Sequence, residues 1–407
     1  MVAIHLLIDK IIHQAYPAKS RLSFRPNGGK GFFSQPQRAF QRCTSLKKSL
    51  AALLSVAVLL AGAVTADAKI TLKVANSGPD TPENRTVCAA DVYTDMVRKA
   101  TNGEVELVFY HASKLGGEAE ALEGIQMGTI DMGTLTSGPA ANFVPQTMVF
   151  DIPYLIKSSP AGWEFLKSDF VKKLSDEFCK RTGVRILAVA EHGFRHFTAK
   201  GVELKTPADM KDLKIRVMEN PAHMAMTRGL GASPTPISYS ELYMALQQGV
   251  VDGMECPIAN IYDSKFYEVQ DSLVLDGHLY GPLVIFINED KFQSLTPAQQ
   301  EALYKGAEAF CVVHAGITAA SDAAALKDMA DKGMKIHQPT AEEQKMFRDA
   351  AQPAALDIIA KRIGQEWVDG AVKAAAEAEA KVAGKEQALM DECIREAQEM
   401  VKIARGK

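Results

Sequence analysis

Arg216 has the most readily interpreted chemistry in this sequence. It stands third in the strand-like run Lys-Ile-Arg-Val. Its guanidinium group presents a planar fork of N–H donors that matches a carboxylate in a bidentate manner, which a lysine does not. Arg216 can therefore hold the anionic group of a ligand. The residues alone equally allow an internal ion pair with a neighbouring acid such as Glu219.

Other polar residues fit catalytic or metal-binding patterns less well. His192 and His196 are four residues apart, which would suit a metal on a helix, but the surrounding alternation favours a strand and structural histidines. Asp252 and Glu255 could form an acid–base pair, although Asp252 precedes a glycine and favours a turn. The sequence has no Gly-x-Ser-x-Gly, phosphate-loop or His-Glu-x-x-His motif. It predicts no catalytic residues, no metal and no cofactor.

Length and composition indicate a globular protein with two domains. The chain has 407 residues, 47% of them hydrophobic and 23% charged, and its formal net charge is −3. At roughly 150 residues per domain, two domains can each bury a core. The near-neutral charge predicts no nucleic-acid partner for the whole chain.

The first 68 residues have the pattern of an N-terminal extension followed by an export signal. Residues 1–48 carry nine lysines and arginines against one acid, and an apolar run extends from Leu50 to Ala66. That run is shorter than the ~20 residues of a membrane-spanning helix, and small residues follow it. We predict a cleavable signal peptide ending near Ala66 or Ala68 rather than a membrane anchor, with translation starting near Leu46.

The cysteines do not indicate a disulfide framework. The mature chain would keep five of the six, which leaves at least one thiol unpaired. None has Cys-x-x-Cys spacing or a zinc pattern with histidine, so small buried side chains are expected. The six are Cys43, Cys88, Cys179, Cys256, Cys311 and Cys393.

Strands and helices alternate along the mature chain, which predicts an α/β architecture with a parallel sheet covered on both faces. The first half predicts strands at 70–75, 104–111 and 130–135, and helices at 84–101 and 118–127. The second half predicts strands at 184–190, 194–199, 213–218, 250–254 and 283–288, and helices near 222–230 and 240–248. A capped helix begins at Thr296, and residues 371–407 are predicted to form a solvated helical tail.

Two α/β units joined by extended crossovers would enclose a cleft. Ligands of such sheets bind outside the carboxyl ends of the strands. The predicted cleft is therefore formed by the loops after Ala75, Leu135, Met218 and Met254.

Seven fragments carry a recognisable pattern: Leu115-Gly116-Gly117, Glu123 to Met132, Asp209 to Val217, Gly231 to Pro236, Glu241 to Gly249, Val251 to Glu255, and Lys265 to Val269. In this order they resemble the DctP-type solute-binding proteins of tripartite ATP-independent periplasmic (TRAP) transporters. The likeness covers about residues 69–370.

The resemblance implies a clamshell like that of periplasmic binding proteins, in which two α/β lobes joined by crossover strands close over a small organic anion. Lobe I would comprise residues 69–193 with 282–321, and lobe II residues 194–281 with 322–370, before the helical tail at 371–407. It also implies a periplasmic protein without catalytic residues or an ATP site. Such a protein delivers a carboxylate or sulfonate to small and large integral membrane subunits.

The same resemblance assigns roles to particular side chains. Arg216 matches the clamp for the ligand anion. Arg195 matches a second arginine that contacts the other end of the ligand, the alternative being an inter-domain salt bridge at the hinge. Tyr239, in the loop before a helix, would be an aromatic wall of the pocket or, alternatively, a core aromatic. Further polar contacts are expected from Asn76, Thr136 and Ser137.

Cys256 departs from the family pattern. The usual Glu-Asn-Pro is Glu255-Cys256-Pro257 here, so a thiol, which is a weak donor, replaces an amide that bonds the ligand carboxylate. Losing a hydrogen bond to a charged group costs about 1.5–3 kcal/mol unless another donor compensates. We expect either a water molecule in its place or an anion of different shape, such as a sulfonate.

Three other functions fit parts of the sequence. An extracytoplasmic sensor would use the same fold to report ligand to a membrane receptor. A secreted enzyme would need a nucleophile or an acid–base pair, and a nucleic-acid-binding protein would need the basic N-terminal segment. The resemblance favours solute binding for transport.

Overall fold

The computed structural model describes residues 69–406, so the predicted signal peptide and Cys43 lie outside the described residues. One mixed sheet of nine strands has the order β2-β1-β3-β8-β4-β7-β5-β6, and β9 pairs with β8. The strands are β1 (Ile70–Asn76), β2 (Val105–Tyr110), β3 (Met132–Thr136), β4 (Val184–Ala199), β5 (Lys214–Val217), β6 (Ser233–Pro236), β7 (Gly253–Pro257), β8 (Ser272–Asn288) and β9 (Lys335–His337).

Helices cover the sheet and form the C-terminal region. They are α1 (Arg85–Ala100), α2 (Glu118–Gln126), α3 (Ser159–Leu166), α4 (Asp169–Thr182), α5 (Pro221–Gly229), α6 (Tyr239–Gln247), α7 (Ile258–Asp263), α8 (Glu289–Gln293), α9 (Pro297–Asp331), α10 (Ala341–Ile363), α11 (Gln365–Val382) and α12 (Glu386–Ala404). Several helices begin directly after a residue whose side chain can cap a helix N-terminus. The side chains of Asn84 and Thr296, for example, accept hydrogen bonds from the first free backbone N–H groups of α1 and α9.

The two long strands β4 and β8 connect the halves of the sheet. Near their outer ends, 184–190 pairs with 283–288, and β3 adds to β8 there. Further along, 194–199 pairs with 272–280, and 195–199 pairs with β7. The chain is thus a two-lobed clamshell with two crossover strands, as the resemblance implied.

Three predictions about the strands are wrong. The segments 184–190 and 194–199 form one strand, because register shifts and the positive φ of Gly193 (107°) let β4 bend without ending. The strand predicted at 283–288 begins at Ser272. The sheet is also not wholly parallel, because β8 runs antiparallel to β3 and β4, and β4 runs antiparallel to β7.

Two smaller differences have local causes. The apolar pair beginning at Val250 lies in a turn, where Val250 is exposed, so β7 starts three residues later than predicted. Strand β6 was not predicted because two of its four residues are prolines. It lies at the end of the sheet order, an edge position where a missing N–H donor is tolerated.

The C-terminal region is helical but is not a solvated tail as predicted. Four alanines and two valines of α11 are buried, and most of them join the core that also contains α5 and α10. Helix α12 packs on α9 so closely that a Cβ at Gly316 would lie 2.4 Å from the Cβ of Ala397. These small residues allow the close approach that the amphipathic pattern alone did not indicate.

Helix α9 is, among residues 69–406, the one helix long and apolar enough to cross a membrane. Its side chains Leu303, Phe310 and Val313 are buried against α1 and the sheet. Since the helix covers the core in this way, its apolar composition is explained by packing.

The five cysteines between residues 69 and 406 are free thiols, where the sequence had required only that at least one be unpaired. Cys88, Cys256 and Cys393 are buried, and Cys179 and Cys311 are half-buried.

Candidate ligand-binding site

Arg216 lies on β5, which is parallel to its two neighbours β6 and β7. Its side chain is 2% exposed, and Nε donates to the backbone oxygen of Ile237 at 2.8 Å. Within residues 69–406 no carboxylate lies within 4.0 Å of this guanidinium, so the alternative of an ion pair with Glu219 is wrong. Its two terminal nitrogens have no hydrogen-bond partner among residues 69–406, and both are accessible to solvent.

The environment of Arg216 favours binding of an anion. Burial lowers the pKa of Arg216, while Cys256 and Glu255 act in the opposite direction. A desolvated cation with free donors is stabilised strongly by a carboxylate that supplies both charge and acceptors. The arrangement can therefore hold an acid at the carboxyl end of β5.

The carboxyl ends of β3 and β5 meet at this point. The hydroxyl of Thr136 lies 3.5 Å from the sulfur of Met218, which follows β5. A Cβ placed on Gly117, just before α2, would lie 2.8 Å from the hydroxyl of Ser238. Two of the loops predicted to form the cleft, those after Leu135 and Met218, are therefore close together.

Arg195 forms an internal ion pair. Its Nε contacts Oε2 of Glu255, and its Nη2 donates to Oε1 at 3.0 Å and to the Glu255 backbone oxygen at 2.8 Å. The pair joins the neighbouring strands β4 and β7, so it is a salt bridge within the sheet rather than between two lobes. The same Nη2 is 3.9 Å from the sulfur of Cys256, which brings Arg195 to the predicted pocket wall. Contact with ligand through the remaining nitrogen, Nη1, stays a prediction.

Glu255 is the centre of a buried network that the sequence did not reveal. It is 0% exposed and lies 3.5 Å from His223 Nδ1 and 3.4 Å from His278 Nε2. His223 and His278 in turn contact Asp151 and Asp276, at 3.0 and 2.9 Å. Burial raises the pKa of Glu255, but Arg195 and the two histidines outweigh this and hold it well below its usual range.

The acid–base pair considered for Asp252 and Glu255 does not form. Asp252 accepts a hydrogen bond from the backbone N–H of Lys214 at 2.8 Å and so fixes the start of β5. Glu255 is engaged by Arg195 instead.

The histidines of this network give a pH-dependent prediction. Burial lowers the pKa of His223, but its hydrogen bond with Asp151 and the negative charge of Glu255, 3.5 Å away, outweigh this effect, and the net pKa is raised. The charged ring therefore contributes stability that is fully present below about pH 6.5 and is lost as the pH rises through the raised value. We expect His223→Gln to lower the unfolding free energy more at pH 6 than at pH 9, measured by urea denaturation. An equal or smaller cost at pH 6 would contradict this assignment.

Cys256 lies close enough to Arg216 and to Tyr239 to interact electrostatically with each, and Tyr239 and Cys256 are the predicted wall of the pocket. Tyr239 is the first residue of α6 rather than a loop residue, and its hydroxyl contacts Ser264 Oγ at 2.6 Å and Asn260 Nδ2 at 3.3 Å. Burial raises the pKa of Tyr239 to about 12 and also raises that of Cys256, so both are neutral near pH 7. The wall can accept or donate weak hydrogen bonds without adding charge.

The three polar residues predicted on the other lobe differ in what they can offer. The amide of Asn76 is occupied by Thr134, Gly78 and His111. The amide therefore holds the loop after β1 in place, and it has no free donor for the predicted contact with a ligand. The hydroxyl of Thr136 is bonded to Glu118. Ser137 is buried, and its hydroxyl has no hydrogen-bond partner among residues 69–406. The hydroxyl is therefore free for the predicted hydrogen bond with a ligand.

Two further residues at the site escaped the sequence prediction. Glu118 accepts from Ser77 and Thr136 and acts electrostatically on both Arg195 and Arg216. Arg85, on α1, is buried beside His192. The only sequence signal for Glu118 is its position directly after the Leu-Gly-Gly fragment. No sequence signal identifies Arg85.

His192 and His196 lie on β4 as predicted. His196 accepts from the backbone N–H of Gly277 at 3.1 Å, and His192 contacts Arg85. Residues 69–406 contain no group of three or more histidines, cysteines or acids placed to hold a metal ion.

A cavity of about 590 Å³ lies elsewhere, between β4, α9 and α10. Glu191, His196 and Asp322 are among its lining residues, and none of the seven predicted ligand contacts is. Cavity size alone would therefore not have located the arginines.

Known proteins resemble this chain over most of its length. The family model named DctP, bacterial extracellular solute-binding protein, family 7, matches residues 79–362. A solute-binding protein of Verminephrobacter eiseniae is 36% identical over 248 residues, 61% of this chain and 74% of the relative. The C4-dicarboxylate-binding periplasmic protein of Rhodobacter capsulatus is 32% identical over 301 residues, 73% of this chain and 88% of the relative.

A solved structure has the same fold. It is a TRAP periplasmic solute-binding protein from Polaromonas sp. JS666 bound to D-erythronate, 31% identical, with a TM-score of 0.71. The match covers 75% of this chain and 98% of that one.

Proposed function

The chain belongs to the DctP family of bacterial extracellular solute-binding proteins, and from this we propose that it captures a small organic acid for a TRAP transporter. The observation that carries the proposal is Arg216, a buried guanidinium with two free nitrogens at the carboxyl end of β5. A carboxylate is the group that best satisfies such a fork.

The mechanism is capture by closure of two lobes. In the open form the carboxylate of the acid binds Arg216, and Tyr239 and Cys256 form the adjacent wall. Bending of β4 and β8 at their register shifts then brings the loops after β1 and β3 over the ligand. Closure is favoured to the extent that the ligand binds the closed state more tightly than the open one.

The proposed ligand class is carboxylates of few carbon atoms, including hydroxy and sugar acids. The relatives described above are named for a C4-dicarboxylate and for D-erythronate. A sulfonate also fits the free guanidinium and remains the alternative suggested by Cys256. The proposed setting is the periplasm, reached by cleavage near Ala66 or Ala68, with small and large membrane subunits as partners.

We propose binding without catalysis. The strongest acid of the site, Glu255, is held ionised by Arg195 and two histidines and has no free position for proton transfer. The thiol of Cys256 has a raised pKa, so it is a poor nucleophile.

A thermal-shift screen with carboxylates, sugar acids and sulfonates tests this function. A ligand at 100 times its dissociation constant should stabilise the protein by about 2.7 kcal/mol, which raises the melting temperature by a few degrees. Neutral polyols of the same carbon skeleton serve as controls, for example erythritol beside D-erythronate. The proposal fails if no acid shifts the melting temperature, or if polyols shift it equally.

A further inference from the structure

Two helices that belong to different hydrophobic cores meet through polar side chains. Helix α1 packs Val92 and Tyr93 into the core that contains β1. Helix α7 packs Ile258 and Ile261 into a separate core, which contains residues of α6 and β7. A contact between the start of α1 and α7 therefore joins two parts of the molecule that are packed separately.

Asn84 makes the first of these contacts. Its side-chain oxygen caps α1 by accepting hydrogen bonds from the backbone N–H groups of Thr86 and Val87. Its amide nitrogen donates to Oδ2 of Asp263, 179 residues further along the chain, at 2.8 Å. Asn84 is buried, with 5% of its surface exposed. One side chain therefore both starts a helix and contacts the opposite core.

Arg85 adds a second contact beside the first. Its Nη2 donates to Oδ1 of Asn260 at 2.5 Å, and Asn260 and Asp263 lie three residues apart on one face of α7. Burial raises the pKa of Asp263, and Arg85 and the hydrogen bond from Asn84 act in the opposite direction. The groups that compensate this half-buried acid thus come from the start of α1, and Asp263 exchanges them for water when the two cores move apart.

The contact between α1 and α7 lies next to the predicted ligand pocket. On the α7 side, Nδ2 of Asn260 donates to the hydroxyl of Tyr239 at 3.3 Å. On the α1 side, Asn84 ends the loop that follows the last residue of β1, Asn76. A change in the separation of the pocket wall and this loop therefore changes the contact, although neither Asn84 nor Asp263 is a predicted ligand contact.

We propose that Asn84 and Asp263 form a latch between the two lobes, which engages when the cleft closes and slows its opening. This inference rests on the proposed function. An interaction that is made only in the closed state stabilises that state, so it raises the apparent affinity of a ligand that the closed state holds. The latch acts on how long the acid stays bound, and it does so from outside the pocket.

Asn84→Asp breaks the latch and keeps the helix cap. Aspartate caps a helix as well as asparagine does, but it has no amide donor and places a second carboxylate against Asp263. We expect the acid to bind about tenfold more weakly. The loss should lie in a faster dissociation, with the association rate within about threefold of the original, because the acid enters the open cleft before the latch engages.

Titration calorimetry and stopped-flow tryptophan fluorescence measure the affinity and the two rates. The probe is the acid that binds most tightly in the thermal-shift screen, with D-erythronate, D-galactonate and succinate among the acids screened. Adding Asp263→Asn to Asn84→Asp exchanges the amide and the carboxylate, and this double variant should recover the affinity to within about threefold.

Gln365→Glu is the matched control. Gln365 donates to Asp369 at 2.8 Å within the single helix α11, so this variant also places a carboxylate against an aspartate but affects no contact between lobes. It should bind the acid as the unaltered protein does.

The outcomes separate the latch from the proposed function. The latch is wrong, and the proposed function stands, if Asn84→Asp keeps full affinity or if its loss lies in slower association. Failure of the exchanged pair to recover the affinity would also overturn the latch, because the loss would then come from local damage to α1. If no acid in the screen binds the unaltered protein, both proposals fall.

Discussion

Replacing Arg216 by lysine is expected to weaken the binding of the organic acid by about 2–5 kcal/mol, roughly 30-fold to several thousand-fold. Lysine keeps the positive charge but has a single ammonium group, so it cannot donate two parallel hydrogen bonds to a carboxylate. The hydrogen bond from Nε to the backbone oxygen of Ile237 is lost as well, which leaves the new side chain less well oriented. Titration calorimetry with the tightest acid from the thermal screen measures the effect.

Arg185→Lys is the matched control for this variant. Arg185 forms two hydrogen bonds with Glu289, at 2.6 Å each, but lies partly exposed and away from the site. It should bind the acid as the unaltered protein does. If Arg216→Lys also retains full affinity while its melting temperature is unchanged, Arg216 does not hold the ligand.

Glu255→Gln is expected to lower the unfolding free energy of the ligand-free protein by about 3–5 kcal/mol. The carboxylate is fully buried and neutralises Arg195. It also lies within ion-pair distance of His223 and His278 and attracts both rings. A neutral amide leaves the guanidinium of Arg195 without its counter-charge in a position that water does not reach. Urea denaturation monitored by tryptophan fluorescence measures the change.

Glu289→Gln provides the comparison, because it removes the same kind of arginine–carboxylate pair from a partly exposed position. The side chains of Arg185 and Glu289 are 26% and 23% exposed, so the expected cost is within about 1 kcal/mol. A similar small cost for Glu255→Gln would show that the buried pair is not the stabilising centre of the lobe.

Local sequence signals predicted most helices and the order of the first strands. The caps at Asn84 and Thr296 and the glycines that end helices depend on neighbouring residues, so they can be recognised without the fold. The resemblance then supplied the clamshell, which no local pattern contains. The sequence predicted a parallel sheet because the antiparallel pairing of β8 with β4 joins residues more than seventy positions apart.

The site was predicted less completely than the fold, for physical reasons. Arg216 stands in a strand pattern, so its place on β5 could be inferred, and its contact with the ligand stays a prediction. The pairing of Arg195 with Glu255 depends on the register of β4 against β7, which the sequence does not display. Arg85 was missed because a basic residue in the first turn of a helix ordinarily faces solvent, and its burial results from packing against β4 and α7.

A crystal structure of the protein with its tightest-binding acid tests the central claim most directly. We expect a carboxylate of the ligand to accept hydrogen bonds from both terminal nitrogens of Arg216, enclosed by Tyr239 and Cys256. A ligand bound at another place, or an Arg216 side chain paired with an acid of the protein itself, would contradict the account.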